Sequence, residues 1–342
     1  MVKISNYILT AVLVCQTLLI IALVYHNFHI SLNNIHPTKK KLNRSVLTQP
    51  VLTLSSAKRT DRGTLQSVNK QVQLNKIFYN RVPKCGSRTI IELIKTSAET
   101  NKFQVHELKE YSPYFHEDEY NYKTVETFEE SIGPFLLEGH YHFLEFSKYN
   151  GTQPTYINVI RDPIERMRSF YYFRRFQPDH IRDMDNATRY RSFDECVSKN
   201  IPECVEPLGN SAEEGYYKII PFFCGHEPFC RKPTRKALDK AIYNVENYFA
   251  VVGLTEYLKE TTEVLDYFLP LFFSGIYETY LKKQKNVEVK YKTIKKSALL
   301  DKTATFMRDL LAIEYEFYQF IRQKFMNQLT IVRKSYGKKL SI

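Results

Sequence analysis

A sharp strand-to-helix corner, "YNRVPKCGSRTI" at residues 79–90, constrains the fold of this chain more than any other stretch. The apolar run before it predicts a strand at residues 76–79, and apolar residues at helical spacing after it predict a helix from Ser87 to about Ala98. The first N–H groups of such a helix lack intrahelical partners and carry partial positive charge. The corner therefore predicts a phosphate-binding cradle.

The same stretch differs from a Walker A loop. That pattern places its lysine directly after the second glycine, whereas Lys84 precedes Gly86 here. A kinase or GTPase is therefore less favoured, and a basic surface turn without a ligand remains the alternative. The candidate anion-binding residues of the corner are Lys84, Gly86, Ser87, Arg88 and Thr89.

A second corner, "YINVIRDPIERMRSFYYF" at residues 156–173, repeats this arrangement. An apolar strand ends at Ile160, and Pro163 suits the first turn of a helix that we expect to reach about Phe176. Arg161 lies at the carboxyl end of the strand, where open α/β sheets bind ligands, and Ser169 follows eight residues later. Two such corners on one sheet predict a ligand with phosphate groups at both ends.

The remaining pattern predicts the fold class. Further strands are expected at residues 135–137, 155–160 and 249–254, and a long helix is expected at about residues 301–325. Because strands alternate with helices, we expect an α/β fold with a central parallel sheet flanked by helices.

A pair of histidines lies between the two corners, in "LLEGHYHFLEF". His140 and His142 are two residues apart, so their imidazoles would point the same way in an extended segment. The pair could bind a metal, but no suitable third ligand is obvious nearby. A general base beside an anion site fits better, and we expect no metal.

The N-terminal region predicts a membrane attachment. Residues 7–25 form an uncharged apolar run long enough to cross a bilayer as a single helix, and residues 1–6 would be its cytoplasmic tail. A cleaved signal peptide is less favoured because no small-x-small cleavage site follows. Residues 26–74 are polar without a sustained apolar period and predict a flexible stem, so residues 75–342 would be the lumenal catalytic domain.

Cysteine spacing and sequons indicate the compartment. Short, even spacings favour two local disulfides, and zinc is the weaker alternative because the spacings exceed those of common zinc sites. The expected pairs are Cys196 with Cys204 and Cys224 with Cys230. Sequons begin at Asn43, Asn150 and Asn186. Together these features favour the lumen of the secretory pathway.

The formal net charge of +12 indicates an anionic partner. A lumenal location removes nucleic acid from consideration and leaves anionic nucleotides and glycans. Guanidinium groups match carboxylates and sulfates, and Arg81 is the first candidate because it lies within the opening motif. Further candidates for acceptor contacts are Arg174, Arg175, Arg182, Arg189 and Arg191.

The ordered motifs "YNRVPKCGSRT", "EGHYHFLEF", "INVIRDPIERMRSFYYFRRF", "FDECV" and "IPFFCGHEPFC" resemble the uronyl 2-O-sulfotransferases of Golgi glycosaminoglycan synthesis, including the insect Pipe group. The sequence is similar, more distantly, to heparan sulfate 2-O-sulfotransferase. The resemblance covers about residues 75–325 and implies a P-loop-like sulfotransferase fold with 3′-phosphoadenosine 5′-phosphosulfate (PAPS) as sulfo donor. It also implies a Golgi membrane protein with a lumenal catalytic domain, and it allows a homotrimer.

The resemblance assigns roles to individual residues. It implies that the first corner holds the 5′-phosphosulfate, that Arg161 and Ser169 hold the 3′-phosphate, and that Lys84 stabilises the leaving oxygen. His140 matches the catalytic base, and His142 would lie near it at the substrate. A late cofactor loop would contribute Lys292 and Thr293.

The implied activity is sulfation of the 2-O position of uronic acids in a sulfated glycosaminoglycan, with chondroitin or dermatan sulfate favoured. Heparan sulfate, or a glycan on a secreted glycoprotein, is the alternative acceptor. A glycan-binding protein without catalysis is the alternative from a different functional class.

Overall fold

The computed structural model describes residues 72–108, 118–176, 184–205, 218–290 and 296–339. The predicted anchor at residues 7–25, Asn43, Arg182 and the pair Lys292 and Thr293 lie outside these ranges, as does most of the predicted stem. Among the helices within these ranges, none combines the length and the apolar character that crossing a bilayer requires.

A five-stranded parallel sheet forms the centre of the fold, as the alternation of strands and helices predicts. Its strands are β1 (Val72–Asn80), β2 (Gln104–Glu107), β3 (Phe135–Gly139), β4 (Gln153–Ile160) and β5 (Phe249–Leu254). They lie in the order β2-β3-β1-β4-β5. Every residue of β3, β4 and β5 is buried, which is typical of parallel strands covered on both faces.

Strand β1 begins earlier than the sequence predicts. Val72 lies within the expected stem at residues 26–74, yet it pairs with Gln153 at the start of β4. The polar residues Gln73 and Asn75 interrupt the apolar run here, so the sequence pattern does not predict this part of the strand.

The helices pack around the sheet. They are α1 (Ser87–Asn101), α2 (Asp118–Glu130), α3 (Pro163–Phe176), α4 (Asn186–Tyr190), α5 (Phe193–Ser198), α6 (Pro202–Val205), α7 (Ile220–Cys224), α8 (Arg235–Tyr248), α9 (Leu258–Phe268), α10 (Pro270–Phe273), α11 (Ile276–Lys290), α12 (Asp301–Leu310) and α13 (Ala312–Lys339). Helix α8 packs against β4 and β5, α9 and α13 pack against β5, and α1 packs against α10 and α11. Helix α12 packs instead on α3 and α5.

Two hydrophobic clusters hold these elements together. The main core joins the sheet to the flanking helices, and within it the Phe78 ring lies 5.2 to 5.5 Å from the rings of Tyr156, Phe128 and Tyr141. The smaller cluster joins α3, α5 and α12 through residues such as Met167, Phe193 and Met307.

The predicted long helix at residues 301–325 is wrong as a single element. It breaks at Leu311 into α12 and α13. Met307 and Leu311 belong to the smaller cluster, whereas Phe317 and Ile321 belong to the main core. The apolar spacing continues across the break, so the switch from one cluster to the other leaves no signal in the periodicity.

Both predicted disulfides are present. Cys196 is bonded to Cys204 and Cys224 to Cys230, with Cα–Cα distances of 6.1 and 5.5 Å. The first links α5 to α6, and the second links α7 to the short 3-10 helix at Pro228–Arg231. Cys85 remains a buried free thiol.

Candidate active site

The two predicted corners lie side by side. Because β1 and β4 are adjacent and parallel, their carboxyl ends meet at one edge of the sheet. The Cys85 thiol of the first corner interacts with the backbone of Arg161 in the second, and burial raises its pKa to about 12. At the end of β5, the Thr255 hydroxyl donates to the Ile160 carbonyl at 3.0 Å. Three strand ends thus converge on one place.

The first corner is a tight turn that leaves the start of α1 open. Lys84 and Gly86 both have left-handed backbones, with φ of 64° and 76°. Gly86 is the N-cap residue and supplies no capping side chain, and the first turn of α1 contains no acidic residue. The N–H groups of Thr89 and Ile90 both reach the Gly86 carbonyl, at 3.1 and 3.3 Å. The preceding N–H groups have no intrahelical acceptor, so the helix start favours an anion.

Positive side chains gather at this open helix start. Burial, together with the charges of Arg88 and Arg161, lowers the pKa of Lys84 to about 8. The Lys84 ammonium lies 3.8 Å from the centre of the Phe173 ring. The positive charges of Lys84, Arg88 and Arg161 repel one another. An anion bound between them would relieve that repulsion.

The second corner carries its own carboxylate. Arg161 lies 3.4 Å from Glu165, which also pairs with Arg168 and Lys296. Burial alone would raise the pKa of Glu165, but the hydrogen bond from Lys296 and the surrounding cations lower it overall. Ser169 is buried on α3, one turn beyond Glu165. Arg161 thus lies at the corner and Ser169 on the helix that follows it, and their joint role stays a prediction.

His140 follows β3 directly and lies at the same edge of the sheet. Its Nδ1 is 3.0 Å from the Arg81 carbonyl. A carbonyl only accepts, so Nδ1 of the neutral ring carries the hydrogen and Nε2 is left as the basic nitrogen. Burial lowers the pKa of His140 to about 3, and the charges of Arg81, Arg166 and Lys84 act in the same direction. The imidazole is therefore neutral near pH 7.

Arg81, a residue of the opening motif, lies beside this histidine. The residue is 9% exposed, and its Nε lies 2.7 Å from Oε2 of the fully buried Glu138. Burial raises the pKa of Glu138 to about 7. The acceptor-binding role of Arg81 stays a prediction, since its charge is paired within the protein.

His142 occupies a different environment. It is 3% exposed, stacks on the Phe222 ring at 4.8 Å and lies 5.7 Å from the His226 ring. It is thus packed among aromatic rings, whereas His140 contacts the first corner. Its predicted role at the substrate stays a prediction.

The other candidate arginines separate into two groups. Arg175 is fully buried and bonds both carboxylate oxygens of Glu203, at 2.8 and 2.7 Å, so it offers no exposed surface to an acceptor. Arg174 is exposed, and Arg189 and Arg191 are partly exposed. These three keep surface that could contact a glycan.

Arg166 is a residue that the sequence did not single out. It is fully buried on α3, and its Nε donates to the Pro83 carbonyl at 2.9 Å. The bond ties α3 to the turn that presents Lys84. Several arginines follow one another in this motif, and no local signal separates Arg166 from the rest.

Two further predicted features concern surface and metal chemistry. The sequon residues Asn150 and Asn186 are both exposed, and their glycosylation stays a prediction. Among the described residues, Cys196, Glu203 and Cys204 are the one group placed as metal ligands could be, and its cysteines form a disulfide.

Known proteins are similar to this chain over most of its length. A sequence model described as "Sulfotransferase family" matches residues 72–320. The chain is 34% identical over 282 residues to uronyl 2-sulfotransferase from Homo sapiens and 35% identical over 268 residues to that from Mus musculus. These alignments cover 78% and 73% of this chain but 65% and 62% of the relatives, less than two thirds of their length. Heparan sulfate 2-O-sulfotransferase 1 from Xenopus laevis is 32% identical over 309 residues, covering 86% of this chain and 83% of that protein.

Proposed function

The chain belongs to the sulfotransferase family, and from that premise we propose that it transfers a sulfo group from PAPS to the 2-O position of uronic acids in glycosaminoglycans. The names of the relatives support this acceptor, because each denotes a 2-sulfotransferase of a uronyl group or of heparan sulfate. Chondroitin or dermatan sulfate is the favoured polymer, since the Cys85-Gly86 pair in the first corner resembles the uronyl 2-O-sulfotransferases more than the heparan sulfate enzymes. Heparan sulfate and a glycoprotein glycan remain alternative acceptors.

One observation carries the proposal. Lys84 and Arg88 lie at the uncapped start of α1, and Arg161 of the adjacent corner is close enough for its charge to lower the pKa of Lys84. The neutral His140 in turn lies close enough for the Lys84 charge to lower its pKa. An anion site beside an unprotonated base is the arrangement that transfer of a charged group to a hydroxyl requires.

The residues present fit the donor. The open start of α1 with Lys84 and Ser87 suits a phosphosulfate, and Arg161 with Ser169 suits a second phosphate. The donor supplies a sulfo group whose S–O bond to phosphate breaks as a sugar hydroxyl attacks the sulfur. Charge then accumulates on the departing phosphate oxygen, by analogy with phosphoryl transfer.

Two side chains would share the chemical work. Lys84 is protonated below its pKa of about 8, so its ammonium can stabilise the departing oxygen. Nε2 of His140 is unprotonated and accepts the proton of the 2-hydroxyl as the new S–O bond forms. The Arg81 carbonyl keeps the imidazole oriented throughout.

We also propose that the protein works in the Golgi lumen, held to the membrane by residues 7–25. The two disulfides support an oxidising compartment, and the exposed sequon residues Asn150 and Asn186 agree with it. The homotrimer that the resemblance allows stays a prediction.

Transfer of radiolabelled sulfate from PAPS tests the proposed activity. The purified full-length protein is incubated with desulfated chondroitin, dermatan and heparan, and the products are digested to disaccharides. We expect 2-O-sulfated uronic acid in at least one polymer, none with the His140→Ala variant and strongly reduced amounts with the Lys84→Ala variant. No transfer to any polymer, with glycan binding intact, would identify a non-catalytic glycan-binding protein instead.

A further inference from the structure

Arg81 is attached to β3 through both its main chain and its side chain. Its N–H donates to the Gly139 carbonyl at 2.7 Å, and its own carbonyl accepts from Nδ1 of His140 at 3.0 Å. Its guanidinium Nε lies 2.7 Å from Glu138. One residue therefore contacts three consecutive positions of the segment that ends in the predicted base.

The backbone at this point has little freedom to move. Any Cβ added at Gly139 would lie 2.8 Å from the Cβ of Leu108, so the two chain segments are in close contact. The N–H of Leu108 also donates to the Glu138 carbonyl at 2.9 Å. Residues 138–140 are thus held on one side by Leu108 and on the other by Arg81.

Glu138 lies near the carboxyl end of β3, between β2 and β1. It pairs in register with Tyr79 of β1 and with Glu107 of β2. The charged groups that act on it are Arg81 from the loop after β1, Glu107 from β2 and Lys95 from α1. Arg81, whose Nε lies 2.7 Å from the carboxylate, has the largest effect among these charges and is its main counter-ion.

Glu107 provides a natural comparison for Glu138. Its carboxylate lies 4.0 Å from the other end of the same guanidinium, and its side chain is 52% exposed. Solvent screens an exposed ion pair, so Glu107 contributes little to the position of Arg81. A fully buried carboxylate instead needs its partner in a defined place, because leaving either charge unpaired is costly.

We propose that Glu138 is a positioning residue for His140 and acts through Arg81. The inference rests on the proposed function, in which His140 is the base. By fixing the guanidinium, Glu138 fixes the Arg81 carbonyl, which holds Nδ1–H and leaves Nε2 facing the acceptor as the basic nitrogen. Protonation of Glu138 weakens the ion pair and lets the carbonyl and imidazole move.

A consequence for pH dependence follows. His140 has a pKa of about 3, so its protonation does not reduce activity between pH 5 and 8. Glu138 has a pKa raised to about 7 by burial, so the Glu138–Arg81 ion pair weakens as the pH falls through that value. Activity should therefore decline on the acid side with an apparent pKa near that of Glu138.

Glu138→Gln in the full-length chain tests the proposal, with Glu107→Gln as the matched control. We expect Glu138→Gln to lower kcat about tenfold or more, to leave the KM for PAPS unchanged and to remove the acid decline. Glu107→Gln should keep both the wild-type kcat and the acid decline. Wild-type kcat and an unchanged acid decline in Glu138→Gln would overturn the proposal.

Two further measurements keep the test decisive. NMR of isotope-labelled histidine should show the Nδ1–H tautomer of His140 in the wild type and a mixture of tautomers in Glu138→Gln, and it needs no turnover. An inactive wild type with that tautomer change would remove the proposed function and leave the positioning role. Should Glu138→Gln fail to unfold cooperatively, the pH profile of the wild type decides, and a kcat that stays constant as the pH falls through about 7 overturns the proposal.

Discussion

The two strand-to-helix corners of this sheet look alike in sequence but differ in the acidic residues at the start of the helix. The first, before α1, has no capping side chain and no acidic residue in its first helical turn. The second, before α3, is capped by Asp162, whose Oδ1 accepts the Glu165 N–H at 3.0 Å, and Glu165 pairs with Arg161. The first corner is therefore open to an anion, whereas in the second the charge of Arg161 is already neutralised by Glu165.

The difference has a physical consequence for binding. An anion at the first corner meets unneutralised cations and open N–H groups, so it gains their full attraction. An anion at the second corner competes with Glu165 for Arg161. A further carboxylate lies beside Asp162, whose N–H donates to Glu256 at 2.8 Å. We infer that the first corner carries the catalytic charge stabilisation and the second mainly positions the ligand.

The largest expected effect lies at the first corner. Replacing the lysine in Lys84→Ala removes the charge next to the departing oxygen, and kcat should fall about 100-fold to 1,000-fold, as it does when other enzymes lose one electrostatic donor. Lys84→Arg, which keeps the charge, is the control and should retain more activity. Steady-state kinetics with PAPS measures both. An unchanged kcat in Lys84→Ala would move catalysis away from this corner.

Arg161→Ala should affect binding more than chemistry. Losing one charge-assisted contact weakens affinity by about 1.5 to 3 kcal/mol, or roughly ten- to a hundredfold, and the change should appear in the KM for PAPS rather than in kcat. Arg174→Ala, an exposed arginine at the far end of α3, is the control and should leave that KM as it is. A drop in kcat at constant KM would reverse the roles assigned to the two corners.

The pH profile sharpens the comparison further. Because the pKa of Lys84 is lowered to about 8, its ammonium is present below that value and lost above it. We expect kcat/KM to fall about tenfold per pH unit well above pH 8, since kcat/KM reports the unliganded enzyme. Lys84→Arg stays charged and should lose this alkaline decline. If the decline persists in that variant, another group is responsible.

The smallest expected effect concerns folding. Asp162→Ala removes the cap of α3 and should lower the free energy of unfolding by about 1 kcal/mol. Gly86→Ala has room for its methyl group, since the nearest atom lies at 3.5 Å, but the left-handed backbone costs about 1 to 2 kcal/mol. Urea denaturation measures both. No loss of stability in Asp162→Ala would show that the cap is not what distinguishes the second corner.

Local sequence predicts much of this arrangement. The strand, turn and helix of each corner follow from apolar runs and from Gly86 and Pro163, and β5 lies at the predicted residues 249–254. Strand β2 is short and largely exposed, so its sequence "QVHE" carries no apolar run. Its existence depends on pairing with β3, which only the folded chain reveals.

Pairings between distant residues explain the rest of what the sequence could not predict. The Arg81–Glu138 and Arg175–Glu203 ion pairs join residues far apart in the chain. The sequence identified both arginines as available cations, because charge is visible in a sequence but its partner is not. Burial and pairing are consequences of the tertiary fold, and they decide which cations remain available for a ligand.

Calorimetric titration of the full-length protein with adenosine 3′,5′-bisphosphate tests the central claim most directly, that two adjacent corners hold the two ends of one nucleotide donor. The account predicts saturable binding at one site, weakened by Arg161→Ala and unaffected by Arg174→Ala. No detectable binding to the wild type, or equal binding to wild type and Arg161→Ala, would contradict it.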